Sequence, residues 1–273
     1  MNQLAGKLLR AAACCLLCAG PVALADQQPR IALIMDDIGF QSVMDEAVLA
    51  LDERVAVAVI PNAPGARHLA RRAGDQGREV LIHLPLSRAG PLDCDAPICP
   101  RQEWSPERMR KHLAWASDRV SGAIGLNNHQ GSGFTADPQA TRRLIEGLVL
   151  LNGERDQPLF VIDSRTTPAT RLASSAREAG LGVAERQVFL DHDRDPDAIA
   201  SAWARLLATA RRDGQAIAIA HPHTETLEFL PDALAGLAAY GVELVPISAL
   251  IETASATSRA VPDYRSATAP SAP

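Results

Sequence analysis

Aromatic residues are scarce. Phe, Trp and Tyr make up 4% of 273 residues, against 47% hydrophobic residues overall. A core this poor in rings and rich in Ala fits an α/β protein better than an all-β sandwich. Positive charge is also in deficit: the formal net charge is −5, which gives no electrostatic case for nucleic acid as a partner. No Gly-rich phosphate loop follows any strand-like run, which argues against a nucleotide-binding fold. Cysteine is limited to Cys14, Cys15, Cys18, Cys94 and Cys99, with no further Cys or His near the last pair to complete a zinc site.

What is present begins with a short leader. Lys7 and Arg10 precede the apolar stretch "AAACCLLCAG", and "PVALA" ends in small residues at Ala23 and Ala25. Charged start, apolar middle and an A-x-A site describe a secretory signal peptide over residues 1–25. The stretch is too short to span a bilayer comfortably, so the mature chain is expected to have no transmembrane segment and to be exported to the periplasm. An uncleaved anchor is the alternative. A lipoprotein reading at Cys18 is weakened by Leu17 before it. Losing Lys7 and Arg10 without any acid moves the net charge from −5 to −7. In an oxidising compartment, Cys94 and Cys99 in "PLDCDAPICP" suggest a local disulfide. From residue 253 Ala, Ser, Thr and Pro dominate with no apolar period, the pattern of a disordered tail. The folded domain is therefore expected over 26–252.

That domain alternates. Apolar, β-type runs fall at 31–35, 55–60, 79–84, 123–127, 159–163, 187–191, 215–220 and 242–247. Their unbroken apolar character suits strands buried on both faces of a parallel sheet. Helical stretches at 66–77, 105–120, 137–153 and 195–214 lie between them, several opened by Ser-Pro or Asp-Pro and closed by Gly. This predicts a (β/α) barrel of seven to eight units, with an open doubly wound sheet as the alternative.

The polar residues cluster where such a barrel builds its sites, at the C-terminal ends of the strands. Asp36 and Asp37 end the first run in "IALIMDDIGF", and His83 lies in "LIHLPL". Asn127, Asn128 and His129 lie in "LNNHQGSGF", Asp163 and Arg165 in "VIDSRTT", Asp191 in "FLDHD", and His221 and His223 in "IAHPH". Each alone is weak: an acid after a strand is often a helix cap, as expected of Asp137 and Asp195. His68 and His112, on helices, are read as surface or packing residues. The adjacent pair Asp36–Asp37 is different. Neighbours on a strand point to opposite faces, so a buried pair needs a cation or a partner. One Asp with His83 and His129 would suit zinc or a similar divalent ion.

These segments, "IMDDIG", "IHLPL", "GLNNHQGSGFT", "FVIDSRTT", "VFLD" and "IAIAHPH", run in order across residues 35–223. Together they resemble the divergent polysaccharide deacetylase (YibQ-like) family, a branch related to the NodB-type polysaccharide deacetylases. The resemblance implies a NodB-like barrel that removes N-acetyl groups from an envelope carbohydrate with a divalent metal, zinc first. It makes Asp36 the catalytic base, Asp37 and His83 metal ligands, and His221 the general acid, with Asp191 orienting it. The second metal His of that family would stand at Ser87, and His129 is the candidate replacement. Asn127, Asn128, Asp163 and Arg165 are left to contact substrate or support the site, with a structural salt bridge open for the last two and turn-shaping open for the asparagines. Trp104 is the one obvious platform for a glycan, and a core position is its alternative. His223 is given a surface position. A degenerate barrel that binds carbohydrate, or scaffolds the envelope, is the competing function. Glycoside hydrolysis by Asp36 and Asp163 would leave His83 and His129 unexplained.

Overall fold

A computed structural model describes residues 28–88 and 98–252. The leader, Cys94 and the tail lie outside the described residues. Strands and helices alternate along the chain: β1 (Arg30–Ile38), α1 (Ser42–Leu49), β2 (Ala56–Val59), α2 (Ala66–Asp75), β3 (Val80–Leu86), α3 (Pro106–Arg119), β4 (Gly125–Gln130), α4 (Ser132–Ala136) and α5 (Pro138–Asn152). There follow β5 (Phe160–Asp163), α6 (Leu172–Glu178), β6 (Val183–Glu185), β7 (Val188–Phe189), α7 (Pro196–Asp213), β8 (Gln215–Ala220), α8 (Thr224–Ala235) and β9 (Glu243–Leu244).

The strands pair in the order β6-β5-β4-β3-β2-β1-β8-β7, all parallel, with β9 beside β1. The sheet curls into an open barrel whose two edges are β6 and β7, with helices around it. The expected barrel is therefore present. One expected strand shortens: the 187–191 run holds only the two residues of β7, and β6, just before it, is a further strand that pairs with β5 at the opposite edge.

Alternation along each strand sorts two cores. Ile31, Leu33 and Met35 join the layer between strands and helices. Ala32 and Ile34 point inward, to meet Ala56, Ala58, Leu81, Ile162, Ala184, Ile217 and Ile219 inside the barrel. So many alanines inside keep the barrel narrow. Its floor is made by the C-terminal segment. Val245, Ile247 and Leu250 join the interior cluster. β9 pairs with Arg30 and Ile31 at the start of β1, and Glu252 bridges to Val183 of β6. That bridge covers an edge which would otherwise stand open.

Helix ends follow local chemistry. The Ser105 hydroxyl accepts from the Arg108 N–H, and the Asp137 and Asp195 carboxylates accept the first N–H groups of α5 and α7. Each has Pro at the next position, where a missing N–H costs nothing.

Candidate metal centre and active site

The interior alternation carries polar groups up to the mouth. On β1, Ala32 and Ile34 are followed inward by Asp36. On β8, Ile217 and Ile219 are followed by His221. Ile34 pairs with Ile219 and Met35 with Ala220, so Asp36 and His221 leave the sheet side by side. On β3 and β4, His83 is the register partner of Asn127, and Pro85 that of His129. Asn127 and His129, two apart, share the inward face.

Asp37 should point the other way. It does not, because its φ is +60° and the β1–β2 register slips between Met35 and Ile38. The left-handed residue swings the second carboxylate to the mouth as well. Gly39 completes the turn at φ +126°, where a Cβ would come within 2.5 Å of Ala63, so only glycine fits. The buried Asp45 carboxylate ties the turn down by accepting the Gly39 and Gln41 N–H groups.

Three donor atoms converge. Asp37 Oδ1 lies 2.8 Å from His129 Nδ1 and 3.1 Å from His83 Nε2, and the two nitrogens are 3.1 Å apart. Asp36 Oδ2 stands 3.6 Å from His83 Nε2. Asn127 joins the pair: its Nδ2 donates to Asp36 Oδ1 at 2.7 Å, and its Oδ1 accepts from His83 Nδ1 at 2.9 Å. Asp36, His83 and Asn127 are all 2% exposed or less.

Across the mouth, His221 Nδ1 donates to Asp191 Oδ1 at 2.9 Å, and its backbone N–H donates to Asp191 Oδ2 at 2.6 Å. The Thr226 hydroxyl also donates to Asp191 Oδ2. Asp191 thus accepts three hydrogen bonds and holds the imidazole through Nδ1. His223 stacks on His221 with ring centroids 5.8 Å apart. It is half-buried, which corrects the expected surface position.

Electrostatics divide the two aspartates. Burial pushes the Asp36 carboxyl above its usual range, against the opposing charges of His83 and His221 and the Asn127 hydrogen bond. Burial would also raise Asp37, but hydrogen bonds from His129 and His83 outweigh it and hold that carboxyl far below. His83 is lowered by burial, yet the Asp36 charge and the Asp37 bond bring it up to about 9. His221 is raised too: its bond to Asp191 and the charge of Asp36 overcome burial. The pattern is a carboxylate of raised proton affinity beside a firmly anionic donor.

Other expected site residues do different work. Asp163 is fully buried. It accepts the Arg165 and Ala173 N–H groups and the Thr170 hydroxyl, which folds the β5–α6 loop. Arg165 makes no side-chain pair with it, correcting the salt bridge considered for these two; its guanidinium lies 3.7 Å from Glu185. Asn128 shapes the turn. Its Oδ1 accepts the Ser164 N–H, and its Nδ2 donates to the Gln130 carbonyl and the Thr166 hydroxyl. Trp104 is 6% exposed, under Arg108 and against His112, and is not a glycan platform. His68 is exposed, whereas His112 is buried. Cys99 is disulfide-bonded; its expected partner Cys94 lies outside the described residues.

Two residues at the mouth had no mark in the sequence. Thr226 is the third group on Asp191. Arg186, between β6 and β7, donates to the Ser164 and Arg165 carbonyls and lies over the Phe189 ring, close enough to Asp36 to feel its charge. Neither sits in a periodic or motif position; a basic residue breaking two short apolar runs was the available hint for Arg186.

Fold and mouth together define a parallel βα barrel with a carboxylate and two imidazoles gathered at the C-terminal ends of its strands. The sequence profile of the divergent polysaccharide deacetylases matches residues 33–251, and the chain belongs to that family. YibQ of Escherichia coli K12, an uncharacterized protein, is 32% identical over 239 residues, spanning 86% of this chain and 72% of that one. An uncharacterized protein of Agrobacterium tumefaciens C58 has the same fold at TM-score 0.75 and 19% identity, over 82% of this chain and 89% of that one. A mutant CE4-family pseudoenzyme from Bacillus anthracis, with restored enzymatic activity, matches at TM-score 0.50 and 13% identity, over 82% of this chain and 68% of that one. The last two are likenesses of fold.

Proposed function

We propose that the protein is an exported, metal-dependent carbohydrate deacetylase that hydrolyses N-acetyl groups on an envelope polysaccharide or oligosaccharide. The observation that carries this is the convergence of Asp37, His83 and His129 beside Asp36. The donor set suits zinc: one carboxylate oxygen and two imidazole nitrogens, 2.8–3.1 Å apart. Ligands on a tetrahedral zinc stand about 3.3 Å apart, a few tenths of an ångström more. Ser87 departs from the NodB-type pattern, and His129 supplies the third donor from the neighbouring strand. Export rests on the leader pattern of residues 1–25.

A bound divalent ion would supply Lewis acidity and a more acidic water. The chain's own residues would do the rest. Asp36 takes the proton from the attacking water through Oδ2, with its raised affinity for protons suiting a base. His221, held by Asp191, presents Nε2 to give a proton to the departing amine.

A barrel that binds carbohydrate without turnover is the second reading, favoured by Ser87. The fold by itself does not guarantee catalysis.

The test is metal content and acetate release from N-acetylated oligosaccharides by purified protein. About one divalent ion per chain is expected, lost in His129→Ala. Asp36→Asn should keep the ion and lose about 10²- to 10⁴-fold in rate. A wild-type protein that takes up no zinc refutes the hydrolytic reading. One that binds the ion but releases no acetate favours the binding barrel.

A further inference from the structure

Asn127 and Asn128 are consecutive, and their side chains serve different ends. All three side-chain hydrogen bonds of Asn128 go to the end of β4 and to the segment after β5. Both of those of Asn127 go to the site, one to Asp36 and one to His83. Asn127 has no exposed surface at all, so both ends of its amide must be matched.

We propose that Asn127 is a positioning residue whose single amide decides which nitrogen of His83 faces the metal and which oxygen of Asp36 faces the water. The inference rests on the deacetylase reading above. An ionised Asp36 can only accept, so the amide NH2 must face it, and the carbonyl must then face His83. A carbonyl can only accept, so His83 Nδ1 carries a proton and donates. That leaves Nε2 as the ligand atom, and Nε2 is the nitrogen standing 3.1 Å from both Asp37 Oδ1 and His129 Nδ1. At the other end the amide occupies Asp36 Oδ1. Oδ2 is left free, 3.6 Å from His83 Nε2, on the side of the donor set. A ligating imidazole whose other N–H is held by an acceptor is the usual support for a metal. Here the same group also orients the base. The sheet supplies the alignment, since His83 and Asn127 are direct register partners.

Two variants of the full chain separate the two arms. Asn127→Leu removes both hydrogen bonds and should weaken zinc binding on the order of 10- to 100-fold in chelator competition, with an altered visible spectrum when cobalt replaces zinc. Asn127→Asp keeps an acceptor for His83 Nδ1 and cannot donate to Asp36 when ionised. It should recover most of the zinc affinity and the cobalt spectrum, while kcat on N-acetylated oligosaccharide stays low and KM changes little. A leucine variant with wild-type zinc affinity and cobalt spectrum overturns the inference. So does an aspartate variant that restores neither, or one that keeps full kcat. Should the leucine variant fail to fold by circular dichroism, the aspartate variant decides alone, on low kcat with zinc retained. A wild-type protein that binds no zinc overturns both the deacetylase reading and this inference. Zinc-binding wild type with indifferent Asn127 variants overturns this inference only.

Discussion

His112 lies on α3 with its ring 5.6 Å from that of Trp104 and stacked 5.3 Å from that of Trp115. Its Nε2 has no hydrogen-bond partner among the described residues. Burial pushes its pKa down to about 4. In the unfolded chain it titrates near 6.5. Between these values the unfolded state binds more protons, so stability rises with pH through this window. Equivalently, it is lost as pH falls from about 6.5 to 4, by about 3 kcal/mol in all. His112→Phe keeps an aromatic stack and removes the titration. The pH dependence of its urea midpoint should be flatter than that of wild type between pH 4 and 6.5; equal slopes would refute this. At the same scale, the Asp36–Asp37 pair was legible because two carboxylates cannot lie idle at a buried strand end. The work of Asp163 was not: a carboxylate that folds its own loop looks, in sequence, like one that faces a ligand.

The elements show where local signals carry and where they fail. α3, α5 and α7 were legible from Ser-Pro or Asp-Pro starts, which act through the chain itself. α8 contains Pro231, and α1 has only eight residues and no side-chain cap; neither has a strong local signature. β6 and β7 are three and two residues long, too short for any period. The loop from α1 to β2 is held by a group from elsewhere. Arg78, 4% exposed, donates to the carbonyls of Leu49, Leu51, Asp52 and Val55 at 2.7–3.3 Å. Arg78→Met would leave those carbonyls without this donor and should destabilise by about 3 kcal/mol or more. Arg78→Lys should recover only part, because an ammonium lacks the planar fork. Denaturant unfolding measures both; a loss within error for Arg78→Met would show that water replaces the guanidinium.

On the scale of the molecule, mouth and floor are independent structures at opposite ends of one barrel. No helix among the described residues is long and apolar enough to cross a membrane. The floor is built from the last described residues, which pack into the interior cluster. Ile247 is fully buried there, and Ile247→Ala should cost about 2–5 kcal/mol with zinc affinity at the mouth unchanged. Calorimetry and chelator competition on one sample check both halves. Coupled loss of affinity would mean that floor and mouth form one cooperative site.

Composition and periodicity determined what acts locally: an α/β chain, continuous apolar runs for a parallel sheet, capped helices between them, and polar residues at the strand ends. These follow from backbone geometry and burial, which each segment expresses by itself. The tertiary structure decided what depends on register and curvature. It cut the 187–191 run to two paired residues and added β6 before it, closed the floor with 245–250, and turned Asp37 to the mouth through one left-handed residue. It also set His83 against Asn127, a residue 44 positions away in sequence, across two neighbouring strands. No local pattern encodes that distance, because only the pairing of β3 with β4 brings the two side chains together.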